Sequence, residues 1–432
     1  MKVLMFGWEF PPHITGGLGT ACYGLTKSLS KLGINIIFVV PKLFGKEDSS
    51  FMQILGASDI SVQKREIAKK EFLEKITYIE IASSLTPYLS PEAYKQFFEK
   101  QGLKKEEITE SIFSEYFSFS GQYGQSIFQE VARYALVASI IASHQSFDII
   151  HAHDWLTYPA GITAKEISGK PLIIHVHATE FDRSGEHVNQ SVFDIEKQGM
   201  LKADRIITVS NYTRNIVITK YGINPQKVFT IHNGVEPIQN IEHFKLNKSL
   251  NHKIVTFLGR ITFQKGPDYF VEAAYKVLQA DSDVHFVMAG SGDMLERIVK
   301  RVAQLRIGNK FHFAGFLKGN DVYKMYAMSD VYVMPSVSEP FGIAPLEAMQ
   351  SEVPVIISKQ SGVSEILNHA IKIDFWDVDA MSDAIYAMLH YKGITRMFKK
   401  YGKVEVENLK WDNAAHLLKT IYKKLIKNIH TK

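Results

Sequence analysis

Lys253-Ile254-Val255-Thr256-Phe257-Leu258-Gly259-Arg260-Ile261-Thr262-Phe263-Gln264-Lys265-Gly266-Pro267 runs from an apolar strand-forming segment, through a turn holding two cations, into the start of a helix. Pro267 suits the first turn of a helix, where no backbone donor is needed, so a helix is predicted over Pro267–Leu278. The same unit repeats downstream. Strand-like runs rich in Val, Ile and Phe fall at Val284–Ala289, Lys310–Phe313, Val331–Met334, Val353–Ile357 and Ile371–Ile373. Upstream, similar runs fall at Ile34–Val40, Asp148–Ile150, Leu172–Val176, Arg205–Val209 and Val228–Ile231. Strands alternating with helical patterns predict crossover units and parallel sheets, an α/β fold.

Between the two series, Pro237–Asn251 is polar and reads as a linker. The chain's 432 residues are too many for one ordinary core, which agrees with two halves. Gly45–Gln125 is less regular and rich in Lys, Glu and aromatics. It reads as a helical excursion with its own small core, or as an acceptor-binding insertion.

Hydrophobic residues make up 46% of the chain and charged residues 22%, the balance of a soluble globular protein. The single cysteine, Cys22, excludes an intrachain disulfide and a cysteine-based zinc site, and fits a cytoplasmic location. The net charge of +5 is spread along the chain. It suits an acidic ligand such as a nucleotide, or peripheral contact with an anionic membrane, and gives no sign of nucleic-acid binding. The apolar run at Met1–Phe6 is too short for a signal peptide, and no segment approaches the roughly 20 apolar residues of a membrane helix. Nothing in the pattern speaks to oligomeric state.

In open parallel sheets, ligands bind beyond the carboxyl ends of the strands, so the residues just after each strand are the candidates. The first strand is followed by Gly16-Gly17-Leu18-Gly19, a glycine loop opening a helix and exposing N–H groups to an anion. It lacks the third glycine of a dinucleotide fingerprint, and no acidic residue ends the second strand, which argues against a nicotinamide enzyme. His151-Ala152-His153-Asp154-Trp155 and His175-Val176-His177 follow two later strands. Within each pair the histidines point to one face. They suit sugar binding by His177 and Asp154; no ligand spacing supports a metal. In the second half, Arg260 and Lys265 form a diphosphate clamp. Gly290-Ser291-Gly292 is a close-approach turn. Glu339-Pro340-Phe341-Gly342 and Glu347 supply two acceptors for separate points of an extended ligand.

Taken in order, Gly-Gly-Leu-Gly, His-Ala-His-Asp-Trp, Ile231-His232-Asn233-Gly234-Val235, Gly-Arg with Lys-Gly, and Glu-x7-Glu resemble the GT-B retaining glycosyltransferases of family 4. Glycogen and starch synthases are near relatives, and the resemblance spans about 1–380. It implies two Rossmann-like domains, an acceptor domain at 1–238 and a donor domain at 239–410, with a C-terminal helix (411–432) returning to the first. It implies transfer of a hexose, expected to be glucose, from a nucleotide-diphosphate sugar to a glycan acceptor such as an α-glucan, with no cofactor and no metal. Arg260 and Lys265 would hold the diphosphate, Glu347 the ribose hydroxyls, and Glu339 with Phe341 and Gly342 the donor sugar. The Gly16, Gly17 and Gly19 loop and Gly290 would face the phosphates, the backbone at Phe316 the base, and His177 and Asp154 the sugar. Ile14 stands where ADP-glucose-type bacterial glycogen synthases carry lysine, so ADP-glucose and UDP-glucose both stay open as donors. An envelope-polysaccharide or glycolipid transferase, and a catalytically silent carbohydrate-binding protein, are the competing readings.

Overall fold

The computed structural model describes residues 1–12, 16–61, 116–121, 127–238 and 252–430, with side chains through 427. The possible acceptor insertion therefore lies mostly outside the described residues, as do Ile14 and nearly all of the linker stretch.

In the first half, strands β1 (Lys2–Phe6), β2 (Asn35–Val40), β3 (Gln53–Gly56), β4 (Ile149–His153), β5 (Leu172–Val176), β6 (Arg205–Thr208) and β7 (Val228–Thr230) form one sheet. Its order is β3-β2-β1-β4-β5-β6-β7, parallel throughout. In the second half, β8 (Lys253–Leu258), β9 (Val284–Ala289), β10 (Phe311–Gly315), β11 (Val331–Met334), β12 (Val355–Ser358) and β13 (Ile371–Ile373) form another. That sheet is also parallel, in the order β10-β9-β8-β11-β12-β13. The α/β prediction thus holds in both halves.

The helices, in chain order, are α1 (Gly17–Lys31), α2 (Ile127–His144), α3 (Tyr158–Ser168), α4 (Glu180–Ser184), α5 (Gln190–Lys202) and α6 (Asn211–Thr219) in the first half. Then come α7 (Pro267–Ala280), α8 (Leu295–Gln304), α9 (Asn320–Met328), α10 (Ala344–Gln350), α11 (Val378–His390), α12 (Lys392–Val406) and α13 (Trp411–His430). Among the described residues, no helix is long and apolar enough to cross a membrane.

Alternation along each central strand builds a core on both faces of its sheet. In β1, Leu4 and Phe6 enter one apolar cluster while Val3 and Met5 enter the other. In β11, Val331 and Val333 face one cluster while Tyr332 and Met334 face its counterpart. Full burial on both sides explains why these strands read as continuous apolar runs.

Both sheets reverse direction at one point: between β1 and β4, and between β8 and β11. Chains leaving neighbouring strands at such a point diverge to opposite faces and open a crevice. The glycine loop and Asp154 leave β1 and β4. Arg260–Lys265 and Glu339 follow β8 and β11.

Helix α13 packs on the first sheet beside α1. Trp411, Ala414, Ala415, Leu418, Tyr422 and Leu425 fill the core there, a helical spacing of three and four. Leu417, on the same helix, points away from that core and is 56% exposed. Its start is pinned tightly: an added Cβ at Gly24 would lie 2.2 Å from the Trp411 ring, and one at Gly234 would lie 2.3 Å from the Trp411 backbone nitrogen.

Candidate active site

The loop after β8 makes a single 3-10 turn, Phe263–Lys265, and hands over to α7 at Gly266. Gly266 sits at φ 64°, and a Cβ there would fall 2.1 Å from the carbonyl oxygen of Pro335. Only glycine lets this turn press against the chain leaving β11. The result is a close pairing of two distant residues. Lys265 Nζ lies 2.5 Å from Glu339 Oε2, and Ser336 Oγ donates to the same oxygen at 3.1 Å. The glutamate is itself held by backbone: its N–H donates to Gln360, and its carbonyl accepts from Gly362.

Arg260 stands on the same loop but is exposed, and among the described residues its guanidinium makes only a long contact, 3.4 Å, to Gln264 Oε1. The two predicted clamp cations therefore differ: Lys265 is oriented by a carboxylate, whereas Arg260 is a loosely held donor fork. Gly290, at φ 145°, fits only because it lacks a Cβ, which would lie 1.8 Å from the carbonyl oxygen of Gly259. Phe316, just past Gly315, is 63% exposed at the end of β10, an aromatic face open to a planar ligand. Phe341 is buried, and Gly342 packs against both Met334 and Glu339.

Glu347 enters from the first turns of α10. Burial pushes its carboxyl up to about 7. Tyr332 is buried near both carboxylates and is raised by desolvation and then by Glu339 and Glu347. Among the described residues, no hydrogen bond joins Glu347 to Glu339.

In the first half, Gly16 closes against Glu9: an added Cβ would sit 2.8 Å from Glu9 Oε2. The next residues begin α1, with Gly17 exposed and Gly19 buried. Asp154 adopts φ 62° and is 8% exposed. Its Oδ1 accepts from the N–H groups of His177 (2.8 Å) and Ala178 (3.2 Å), tying the exit of β4 to the exit of β5. Burial raises this carboxyl to about 6, with Glu9 adding to the rise, against the lowering pull of Arg183 and the two amides. Asp154 thus shapes the loop that carries His177. His177 Nε2 lies 3.0 Å from His153 Nδ1, and burial holds His177 down at about 3, neutral at ordinary pH.

Behind it lie the buried His151, His153 and His175, which with the half-buried His177 form a quartet. The His151–His153 and His175–His177 rings stack with centroids 4.3 Å apart. His151 Nδ1 meets the Tyr422 hydroxyl of α13 at 2.5 Å. Nitrogens of His151, His153 and His175 lie within 4.8 Å of one another. The same holds for Cys22 Sγ with nitrogens of His153 and His177.

Residues that drew no attention in the sequence join the halves. Ser338, beside Glu339, donates to Asp182 Oδ1 at 2.6 Å, and the Tyr212 hydroxyl meets Ser338 Oγ at 3.0 Å. Asp182 also completes a capping box with Thr179 at the start of α4. The Thr-x-x-Asp spacing was the one available signal. Helix α4 lies against the Phe263–Lys265 turn. Its Arg183 is held by Glu180 at 3.1 Å and by Glu196. Further along the same boundary, Glu365 accepts from the N–H groups of Asn211 (2.9 Å) and Tyr212 (2.6 Å) at the start of α6, and pairs with His232 at 2.9 Å. The loops bearing His177 and Lys265 therefore face one cleft.

Comparison with known proteins agrees with this architecture. Residues 2–230 match the starch synthase catalytic domain, and residues 238–405 match glycosyl transferases group 1. An uncharacterized glycosyltransferase of Methanocaldococcus jannaschii is 28% identical, with 98% of each chain covered. A glycogen synthase of Mycobacterium tuberculosis is 20% identical over 84% of this chain and 80% of its own. The catalytic domain of Starch Synthase IV from Arabidopsis thaliana, solved with ADP and acarbose, shares the fold at a TM-score of 0.67 and 16% identity, over 99% of both chains. The two facing parallel sheets are thus the GT-B architecture, and the chain belongs to the glycosyltransferases of the starch synthase and group 1 type.

Proposed function

We propose that this enzyme is a retaining hexosyltransferase that moves glucose from a nucleotide-diphosphate sugar, ADP-glucose or UDP-glucose, to a glycan acceptor of the α-glucan kind. The observation that carries the reading is the Lys265–Glu339 pair, facing the His177 loop across the Asp182–Ser338 contact. In this reading residues 1–238 with 411–432 take the acceptor, and residues 239–410 hold the donor.

Breaking the sugar C1–O bond leaves negative charge on the departing diphosphate and an oxocarbenium-like sugar. Preorganised donors act most strongly where that charge develops. Arg260 supplies a fork, Lys265 a point charge, and the N–H groups near Gly16–Gly19 and Gly290 a dipolar cradle. These cations take the role that a metal would otherwise fill. The acceptor hydroxyl attacks on the face the diphosphate leaves, and its proton passes to the departing phosphate oxygen. Glu339 then serves to orient Lys265 and the sugar, and Glu347 accepts from ribose hydroxyls. His177, neutral and backed by His153, meets the sugar.

A screen of ADP-glucose, UDP-glucose, GDP-mannose and UDP-N-acetylglucosamine, with and without glycogen, tests this by released nucleoside diphosphate. Glycogen-dependent release from one glucose donor supports it. Release that ignores glycogen moves the acceptor to an envelope glycan or glycolipid. Absence of release from every donor overturns the glucose reading and leaves another sugar nucleotide or a silent carbohydrate-binding protein, which donor-binding calorimetry separates.

A further inference from the structure

Helix α12 (Lys392–Val406) is attached to its half of the molecule by one edge. Phe398 packs on one core of the second sheet and Val406 sits in the other. Gly402 lies close enough to α10 that an added Cβ would be 3.1 Å from Met349, and Glu405 accepts from the N–H groups of Asn368 and His369. The remaining surface of the helix divides in two. Ile394, Met397, Tyr401 and Val404 recur at three- and four-residue steps and form one stripe, yet they are 43%, 44%, 47% and 54% exposed. Tyr391, at the head of the helix, is 59% exposed. Arg396 and Lys400 flank this stripe on one side, Lys392, Lys399 and Lys403 lie farther round the helix, and no acidic residue falls between Lys392 and Val404. Of these cations, Lys403 has a carboxylate partner, Glu352 at 2.7 Å; the other four have none among the described residues.

An apolar stripe flanked by Arg396 and Lys400, cations without a carboxylate partner among the described residues, matches a surface that is apolar beneath and anionic at its face. A second copy of the chain fits badly, since a two-fold contact would set the same cations against each other. We propose that this face of α12 docks on anionic lipid bilayers. Ile394, Met397, Tyr401 and Val404 enter the boundary between headgroups and acyl chains, and Arg396 and Lys400 meet lipid phosphates. Because α12 rests on α10, the helix carrying Glu347, docking sets the donor half beside the membrane. The inference does not depend on the identity of donor or acceptor.

The test is co-sedimentation of the full chain with phosphatidylcholine vesicles, with and without phosphatidylglycerol. Anionic vesicles are expected to bind about tenfold or more tightly, with binding falling as salt rises. Two double variants, Arg396→Glu with Lys400→Glu and Ile394→Asp with Met397→Asp, should each lose about tenfold or more, with unchanged circular dichroism and melting. Should either fail to fold, Arg396→Gln with Lys400→Gln replaces it. Equal pelleting with neutral and anionic vesicles, or variants that pellet like the parent, overturns the proposal. So does a dimer in light scattering that the apolar variant abolishes while vesicle binding stays absent.

Discussion

Lys265 Nζ and Glu339 Oε2 lie 2.5 Å apart although 74 residues separate them in the chain. The lysine is thereby aimed before any donor arrives, which is the condition under which a charge stabilises a transition state without reorganising. Lys265→Ala should lower kcat by about 10² or more, on the scale of losing one preorganised donor. Lys265→Arg should recover part of the charge without the compact geometry. The check is steady-state release of nucleoside diphosphate, with melting curves to confirm folding. A near-parental kcat for Lys265→Ala would remove this residue from the chemistry.

Glu347 gives a pH signature. Burial lifts its folded value to about 7, above the ordinary glutamate value of about 4.3. A raised carboxyl penalises the folded state once the unfolded chain ionises, so the cost grows as pH climbs from about 4.3 and levels off above about 7. Glu347→Gln removes that cost, so its melting temperature should rise relative to the parent between acid and neutral pH and stay higher beyond. If the carboxylate accepts from ribose, the same variant should raise donor KM most at alkaline pH. Parallel pH–stability curves for parent and variant would contradict the assignment.

Much of the fold was legible because its strands are buried on both faces and read as unbroken apolar runs. Strand β3 was not: Gln53–Gly56 is four residues long, lies at the sheet edge, and opens on an exposed glutamine. The two-residue period correctly put His151 with His153 and His175 with His177 on one face. Topology, not local pattern, then stacked the two pairs into a quartet. The same limit applies at the cleft. Arg260, Lys265, Glu339 and Glu347 were visible as residues after strands, but the Lys265–Glu339 pair depends on the order β8-β11 bringing those strand ends together. Ser338 and Asp182 meet across 156 residues, and neither carries a local signal for the other.

The Glu365 contact gives a pH effect of opposite sign. Burial raises this carboxyl, but the His232 hydrogen bond and the N–H groups of Asn211 and Tyr212 outweigh it, and the net shift is downward. A lowered carboxyl stabilises the folded state above its unfolded value, about 4.3, and that contribution is lost as pH falls through the folded value. Glu365→Gln should therefore melt below the parent at pH 7, and the two should converge as pH falls below the unfolded value and through the lower folded one. Since the contact joins the halves, small-angle scattering of the variant at neutral pH should report a more open molecule. A melting difference that is constant with pH would show that ionisation of Glu365 is not what holds this boundary.

Gly24 offers a test in which the sign of the effect decides. Alanine in place of glycine inside a helix ordinarily stabilises by about 0.5–1 kcal/mol. At Gly24 the added methyl would lie 2.2 Å from Nε1 of Trp411, a rigid ring that is 3% exposed and starts the helix crossing back to the first sheet. The ring has no room to retreat, because Gly234 already meets the Trp411 backbone and Val235 N–H donates to Leu409 on the approach. Overpacking of this kind costs about 1–3 kcal/mol and reverses the helix preference. Gly24→Ala should therefore lower the melting temperature, and pairing it with Trp411→Leu should restore part of the loss by making space. A rise in melting temperature for Gly24→Ala alone would mean that α13 does not lie against α1 as described, and that the first half is not closed by the returning helix.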